Sequence, residues 1–268
     1  MNRFSLTYLG LFLLLLSILS FFNVIYSYYF NLYLNIDAYI YTLIISLFLG
    51  FTFLIKKKTD SKISIYIKIL TLITGYLILP LIISIPYYLS IYNISYLNCF
   101  FEAVSGFTST GFTIFENIKH IDESLILWRS SSQWIGGIYF LFSIILLIDI
   151  FDDNLKKSLT NYISFNSAEI FKQSLKILLL YSILTLFLFI VLKLINIRTF
   201  DSFNLSMTII SSGGFLPFNN IDLIINSDLK KIVFSILMLF SYFSLFLTYN
   251  FFYLRKKSLN FFAEDIYL

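Results

Sequence analysis

The stretch Phe107-Thr108-Ser109-Thr110-Gly111-Phe112 decides the fold of this chain, because the similar stretch Ile210-Ser211-Ser212-Gly213-Gly214-Phe215 follows 103 residues later. At that spacing Gly111 falls on Gly214, Phe100 on Phe203, Ser105 on Thr208 and Phe112 on Phe215. Each stretch lies between long apolar runs. Glycine permits tight turns that direct backbone carbonyls to one side, and rings of carbonyls replace the hydration shell of an ion. The repeat therefore predicts two copies of one unit of a cation pore.

The composition identifies a membrane protein. Hydrophobic residues make up 59% of the 268 residues and charged residues 13%, with a mean hydropathy of +0.85, whereas about a quarter of a soluble domain is charged. The net charge of +4 does not indicate nucleic-acid binding, because the basic residues lie beside apolar runs. The single cysteine, Cys99, excludes an intrachain disulfide, and the single histidine, His120, removes most histidine-based metal and acid–base chemistry.

Six apolar segments are long enough to cross a bilayer, which takes about 20 residues: 4–23, 38–55, 65–86, 125–151, 173–195 and 232–254. Two segments of about ten residues, 98–108 and 201–211, are too short and are predicted to be re-entrant. Their turns must lie inside a bundle, because irregular backbone is not tolerated against lipid. We predict an all-α polytopic membrane protein with six transmembrane helices and two re-entrant pore helices. The first segment is interpreted as a retained span rather than a signal peptide.

This order of segments predicts four regions. A two-helix prefix covers residues 1–60, a first helix–pore–helix unit 61–160 and a second unit 161–260, and residues 261–268 begin a cytoplasmic linker. Thirteen of the 19 basic residues flank one side of the predicted bundle. By the positive-inside rule that side is cytoplasmic, so both termini are predicted in the cytoplasm of a plasma-membrane protein, and both re-entrant segments open outward.

Acidic residues near the outer openings have two interpretations. They raise the local cation concentration, or they are ordinary solvated loop residues. They are Glu102, Glu116, Asp122, Glu123, Asp201, Asp222 and Asp228.

The two turns offer hard oxygen donors, carbonyl and hydroxyl, suited to a weakly bound monovalent cation. Each turn follows the C-terminal end of a short helix, where the negative end of the helix dipole favours a nearby cation. One Ser/Thr-Gly turn alone normally indicates a helix cap, whereas two at matching positions between long spans indicate a filter. No nucleophile–base pair or phosphate-binding loop accompanies them, so we predict that the chain is not an enzyme and needs no cofactor besides the transported ion.

The stretch Phe101-Glu102-Ala103-Val104-Ser105-Gly106-Phe107-Thr108-Ser109-Thr110-Gly111-Phe112 resembles the first pore loop of the Trk/Ktr/HKT potassium transporters. Trp128-Arg129-Ser130, followed by Gln133-Trp134-Ile135-Gly136-Gly137, resembles the next helix of the Trk branch, and Ser206 to Phe215 resembles the second pore loop. The resemblance covers essentially the whole chain. It implies potassium uptake, with Gly111 and Gly214 as filter glycines. A glycine rather than a serine in the first loop implies potassium rather than sodium.

The resemblance also implies which residues form the ion-selectivity filter and its support. The filter consists of Thr108, Ser109, Thr110, Gly111, Phe112, Ser211, Ser212, Gly213, Gly214 and Phe215. Glu102 supports the first turn by hydrogen bonds from behind, or it faces the outer water. Arg129 is interpreted as an interfacial anchor that snorkels to the surface rather than as a gate. Gly136-Gly137 indicates close helix packing or a bend.

The resembled family builds one pore from four such units, whereas this chain holds two. Three arrangements complete the ring: further units on a longer polypeptide, a separate chain, or a second copy. The resemblance also implies a cytosolic nucleotide-binding regulatory subunit as a partner and places the family's gating loop in the third unit. The rival interpretation is a non-conducting membrane scaffold or regulatory subunit of a cation transporter.

Overall fold

The computed structural model describes residues 3–55, 65–147 and 167–253, and these residues are helical without strands. Six helices are long: α1 (Arg3–Tyr29), α2 (Ile36–Ile55), α3 (Ile65–Ser90), α5 (Glu123–Leu147), α6 (Ser167–Leu194) and α8 (Asp228–Tyr253). Two are short: α4 (Tyr96–Phe107) and α7 (Thr199–Ile210). Three-residue 3-10 turns occupy Tyr33–Asn35, Ile118–His120 and Ile221–Leu223. The predicted all-α class is confirmed for the described residues.

Four segments of the described residues are long and apolar enough to cross a membrane: Leu6–Tyr29, Tyr33–Ile55, Tyr66–Ser90 and Ile177–Leu194. Helix α5 has 25 residues, but its sequence from Arg129 to Gln133 is entirely polar. All five of those side chains are buried, at 0 to 3% exposure. The polar part of α5 therefore faces the interior of the protein.

The predicted region boundaries lie outside the described residues. Residues 56–64, 148–166 and 254–268 contain the boundaries after 60, 160 and 260. They also contain nine of the thirteen basic residues on which the predicted orientation depends.

The two short helices repeat the predicted spacing. Each has 12 residues, and both their first and their last residues are 103 positions apart. At 1.5 Å per residue each is about 18 Å long, too short for the roughly 30 Å hydrocarbon core. Ser95 caps α4 by accepting a hydrogen bond from the Asn98 N–H at 3.3 Å, which explains why the helix begins two residues before the predicted segment.

Helix α5 packs against both short helices through glycines. A Cβ on Gly136 would collide with the backbone of Phe107 at the end of α4, and a Cβ on Gly137 would collide with the Tyr181 hydroxyl and approach Ser211 at the end of α7. The interpretation of Gly136-Gly137 as a close helix contact is thus confirmed.

Aromatic side chains fix α5 to the long helices on either side. The Trp128 indole donates to the Ile83 carbonyl of α3 at 3.0 Å, and the Trp134 indole donates to the Thr185 hydroxyl of α6, also at 3.0 Å. Helix α5 is therefore the common partner of both helix–pore units.

Polar side chains join several helix ends on one side of the bundle, which we call the loop face (residues 30–35, 91–95, 108–122, 195–198 and 211–227). The Tyr26 hydroxyl donates to Glu123 at 3.1 Å, and Arg198 forms an ion pair with Glu123 at 2.6 Å. That hydrogen bond raises the pKa of the Arg198 guanidinium. The Asn219 amide accepts from the Ile118 N–H at 2.6 Å and donates to Asn117 at 3.0 Å. The segments that leave the two turns are therefore joined.

We expect the Gly136→Ala variant to be destabilised, because its Cβ would press on backbone that cannot rotate away. Overpacking of this kind costs about 1–3 kcal/mol, measurable as a lower Tm of the purified protein in detergent. Gly50→Ala is the matched control, since its Cβ would meet mainly the flexible Leu14 side chain. Equal melting temperatures for Gly136→Ala and the unsubstituted protein would contradict the packing described here.

Candidate functional site

The two turns after α4 and α7 have the same backbone hydrogen bonds. The Ser109 and Thr110 N–H groups donate to the carbonyls of Gly106 and Ser105 at 2.9 and 3.0 Å. At the repeat spacing, the Ser212 and Gly213 N–H groups donate to the carbonyls of Ile209 and Thr208 at 3.0 and 2.8 Å. Ser109 and Ser212 both have left-handed backbone, with φ of 55° and 53°. The repeat read from the sequence is therefore a repeat of conformation.

A hydroxyl from each short helix then holds the chain that leaves the turn. Ser105 Oγ donates to the Phe112 carbonyl at 2.5 Å, and Thr208 Oγ1 donates to the Phe215 carbonyl at 3.1 Å. These bonds close loop 1 (residues 105–112) and loop 2 (residues 208–215). Ser105 and Thr208 are the pair that the sequence alignment superimposes.

Several carbonyl oxygens in the loops accept no hydrogen bond from the described part of the chain, among them those of Ser109, Thr110, Gly111, Ser212, Gly213 and Gly214. Unpaired carbonyls are costly inside a membrane protein unless water or an ion contacts them. The loops therefore have oxygen donors available for a cation.

The two loops meet at their glycines. Gly111 has a φ of 82°, and a Cβ there would lie 2.5 Å from the Gly214 Cα. A Cβ on Gly214 would lie 3.1 Å from the Gly111 Cα. Glycine is needed at the first position for both its backbone conformation and the space available, and at the second for space.

The hydroxyls of the filter residues are partly engaged within the protein. Thr108 Oγ1 donates to the Val104 carbonyl at 2.8 Å, and Ser211 Oγ donates to the Met207 carbonyl at 3.0 Å. Because the hydrogens of these hydroxyls are already donated, only the oxygen lone pairs are available to coordinate an ion. Phe112 is 69% exposed whereas its counterpart Phe215 is 1% exposed, so the two loops differ in their surroundings.

A buried ion pair lies behind loop 1. Arg129 Nε is 2.9 Å from Glu102 Oε1, and both side chains are almost fully buried, at 1% and 0% exposure. Glu102 also accepts hydrogen bonds from the Thr113 hydroxyl at 3.1 Å and the Ile114 N–H at 3.0 Å. Arg129 Nη2 donates to the Thr113 hydroxyl at 3.0 Å. The pair therefore holds the segment that leaves Gly111.

Three sequence interpretations are settled or corrected by these contacts. The prediction that Arg129 snorkels to the surface is wrong, because its guanidinium is buried and paired with Glu102. Glu102 does not face outer water; it contacts the loop from behind. Asp201 is also not a solvated loop residue, since only 4% of it is exposed.

Gln133 was not among the predicted site residues, although it contacts loop 2. Its Oε1 accepts the Phe215 N–H at 3.3 Å, and a Cβ on Gly213 would lie 2.5 Å from its carboxamide carbon. The one available signal was its position, four residues after Arg129 and thus on the same face of α5.

A cavity of 590 Å³ adjoins both turns. Its lining includes Thr108 and Ser109 of the first turn, Ser211 and Ser212 of the second, and the Tyr181 hydroxyl, which is buried and has no hydrogen-bond partner among the described residues. Apolar side chains, among them Phe107, Leu141 and Ile210, line the rest of it. The cavity is therefore open space directly beside both loops, with polar groups where the turns border it.

Proteins of similar sequence are cation transporters. An uncharacterized cation transporter of Methanocaldococcus jannaschii is 29% identical over 221 residues, which is 78% of this chain and 44% of the relative. The Trk system potassium uptake protein TrkI of Halomonas elongata is 39% identical over 66 residues, which is 25% of this chain and 12% of the relative. No protein-family model matches the chain.

The fold is similar to that of a solved transporter. The crystal structure of the potassium transporter TrkH from Vibrio parahaemolyticus superimposes with a TM-score of 0.62 at 20% identity, covering 87% of this chain and 48% of that one. This chain thus spans about half the length of TrkH and of the archaeal relative. The resemblance inferred from the pore-loop motifs is confirmed, including its extent of about half a transporter.

We expect Glu102→Gln to destabilise the protein strongly, because it leaves the buried Arg129 guanidinium without its counter-charge. Breaking one side of a buried pair typically costs about 3–5 kcal/mol. The double variant Glu102→Met with Arg129→Met should lose less than the two single variants together, since no charge remains buried. Thermal unfolding in detergent measures all four variants.

Glu123→Gln is the matched control for Glu102→Gln. It removes the carboxylate of the exposed pair with Arg198, whose side chains are 58% and 35% exposed, and such pairs contribute about 0–1 kcal/mol. Similar Tm losses for Glu102→Gln and Glu123→Gln would show that the inner pair is not desolvated as described.

Proposed function

We propose that this chain, which is related in sequence and fold to cation transporters of the Trk type, forms half of a membrane pore that moves potassium ions. The observation that carries the proposal is the pair of matched loops. Each follows the C-terminal end of a 12-residue helix, each has unpaired backbone carbonyls, and the two meet at Gly111 and Gly214. The composition and the helix lengths place these loops in a membrane protein.

In the proposed topology the six long helices α1, α2, α3, α5, α6 and α8 span the membrane, while α4 and α7 are re-entrant. The distribution of Lys and Arg favours cytoplasmic termini in the plasma membrane. The loop face is then the outer side, and ions enter the filter from there.

Potassium loses its water at the carbonyls of loops 1 and 2 and passes from there into the adjoining cavity. The buried Glu102–Arg129 pair keeps the first loop fixed without contacting the ion, so the carbonyls need little rearrangement when an ion arrives. A smaller ion is coordinated less well by a fixed set of oxygens, which favours potassium over sodium.

Two loops surround an ion on one side only. A second pair of helix–pore–helix units must therefore complete the ring, on a longer polypeptide, on a separate chain or from a second copy. A nucleotide-binding regulatory subunit is the proposed cytosolic partner. Neither a cofactor nor an enzymatic step is part of this function.

Rubidium uptake tests the proposal in cells that lack their own potassium-uptake systems and express this chain together with the units that complete its ring. We expect Gly111→Val and Gly214→Val to reduce uptake by on the order of tenfold or more, since each branched side chain would collide with the facing loop and Gly111 also requires positive φ.

Gly10→Ala is the control for these uptake measurements, because Gly10 packs α1 against α2, where its Cβ would meet Gly50 and Phe53. Normal rubidium uptake by both valine variants, with normal amounts of protein in the membrane, would refute the pore and favour a non-conducting scaffold.

A further inference from the structure

The polar support of loop 1 has no equivalent at the aligned positions in the described part of the second unit. At the repeat spacing of 103 residues, the counterparts of Glu102, Arg129 and Gln133 are Leu205, Ile232 and Ile236. Helices α5 and α8 begin 105 residues apart, at Glu123 and Asp228, and that spacing places Phe234 and Met238, which are also apolar, at the last two positions. At these aligned positions the described part of the second unit therefore has no ion pair or carboxamide behind loop 2.

Helix α5 of the first unit supplies this support instead. Arg129 Nη1 donates to the Leu216 carbonyl at 3.4 Å, and the guanidinium lies 4.2 Å from the centre of the Phe215 ring. Four residues further along, Gln133 accepts the Phe215 N–H and packs against Gly213. Loop 2 is thus held on both sides of Gly214 by one face of α5.

The same guanidinium contacts both loops. Through Nε and Nη2 it binds Glu102 and Thr113, behind loop 1, and through Nη1 and its flat face it binds Leu216 and Phe215, beside loop 2. A guanidinium is planar, and its donors have fixed directions. If the guanidinium moves together with one loop, its hydrogen bonds to the other loop are therefore distorted.

The corresponding face of α8 offers no polar group to loop 2. Phe234, which is the counterpart of Arg129 at the spacing of the helix starts, is buried but apolar, and Ile232 and Ile236 are 61% and 58% exposed. Their exposure and their apolar character both separate them from Arg129 and Gln133, which are 1% and 0% exposed.

We propose that α5 positions both loops, with Gln133 as the positioning residue of loop 2 and Arg129 as the residue that couples loop 1 to loop 2. The consequence for ion selectivity rests on the proposed function, whereas the coupling itself does not. A displacement of the residues behind Gly111 then also displaces Gly214, because the Arg129 side chain contacts both loops.

A double-mutant cycle on the purified chain tests the coupling without requiring transport. Thr113→Val removes the hydroxyl that contacts Arg129 behind loop 1, and Phe215→Leu removes the ring beneath the guanidinium. We expect each single variant to lower the Tm by about 2–4 °C, and the double variant to lower it by at least about 2 °C less than the sum.

In an Arg129→Lys background the coupling should disappear, because lysine lacks the planar fork. A control cycle pairs Thr113→Val with Ser131→Ala, whose hydroxyl is buried but bonds within α5 to the Leu127 carbonyl. That cycle should be additive. Additive losses for Thr113→Val with Phe215→Leu, or coupling that persists in Arg129→Lys, would overturn the role assigned to Arg129.

The ratio of rubidium to sodium uptake tests Gln133. We expect Gln133→Met, which keeps the side-chain volume and removes the acceptor for the Phe215 N–H, to lower this ratio several-fold, while Ser131→Ala leaves it unchanged. An unchanged ratio in Gln133→Met would overturn the positioning role. If the unsubstituted protein takes up no rubidium, the proposed function fails, and the Tm cycle alone decides whether α5 couples the loops.

Discussion

One hydrogen bond, made twice, determines the form of both loops. Ser105 donates to the Phe112 carbonyl, and Thr208 donates to the Phe215 carbonyl. Irregular backbone at membrane depth is stable only where the protein, water or an ion satisfies its polar groups. Each hydroxyl gives a hydrogen bond to the carbonyl at the end of its loop. The bond also holds the end of the loop against the short helix that precedes it. The carbonyls between those two points remain for an ion, so the same bond that stabilises the loop also leaves its donors free.

Helix α5 carries the polar interactions that join the two loops. Its run from Arg129 to Gln133 is too polar for contact with lipid, and the fold buries it against both loops. Burying the Arg129 charge is costly unless it is paired and fully hydrogen-bonded, and Glu102, Thr113 and the Leu216 carbonyl meet that requirement. Gly136 and Gly137 bring α5 close enough to α4 and α7 for these contacts to form. The glycines of α5 therefore allow the close packing that the hydrogen bonds of its buried Arg129 require.

Much of this arrangement could be predicted from the sequence, because it depends on local periodicity and on the internal repeat. The short helices were predicted at 98–108 and 201–211 and lie at Tyr96–Phe107 and Thr199–Ile210, and the alignment of Ser105 with Thr208 is reproduced by their hydrogen bonds. The environment of Arg129 was not predictable in this way. The sequence around a basic residue near the end of a span is the same whether its side chain reaches the surface or forms an ion pair inside the protein. The partner of Arg129, Glu102, also lies 27 residues away in the sequence. The contact of Gln133 with Phe215 spans 82 residues and depends on how the two units pack.

Anomalous scattering from thallium or rubidium, in crystals of the membrane-purified protein with whatever units complete its ring, tests the central claim most directly. The contacts described here predict an ion peak between the two loops, coordinated by backbone carbonyls on either side of Gly111 and Gly214 rather than by side-chain carboxylates. Loops that contain no ion under saturating thallium, while a peak lies beside Glu102 or another acidic side chain, would contradict a carbonyl-lined filter at this position.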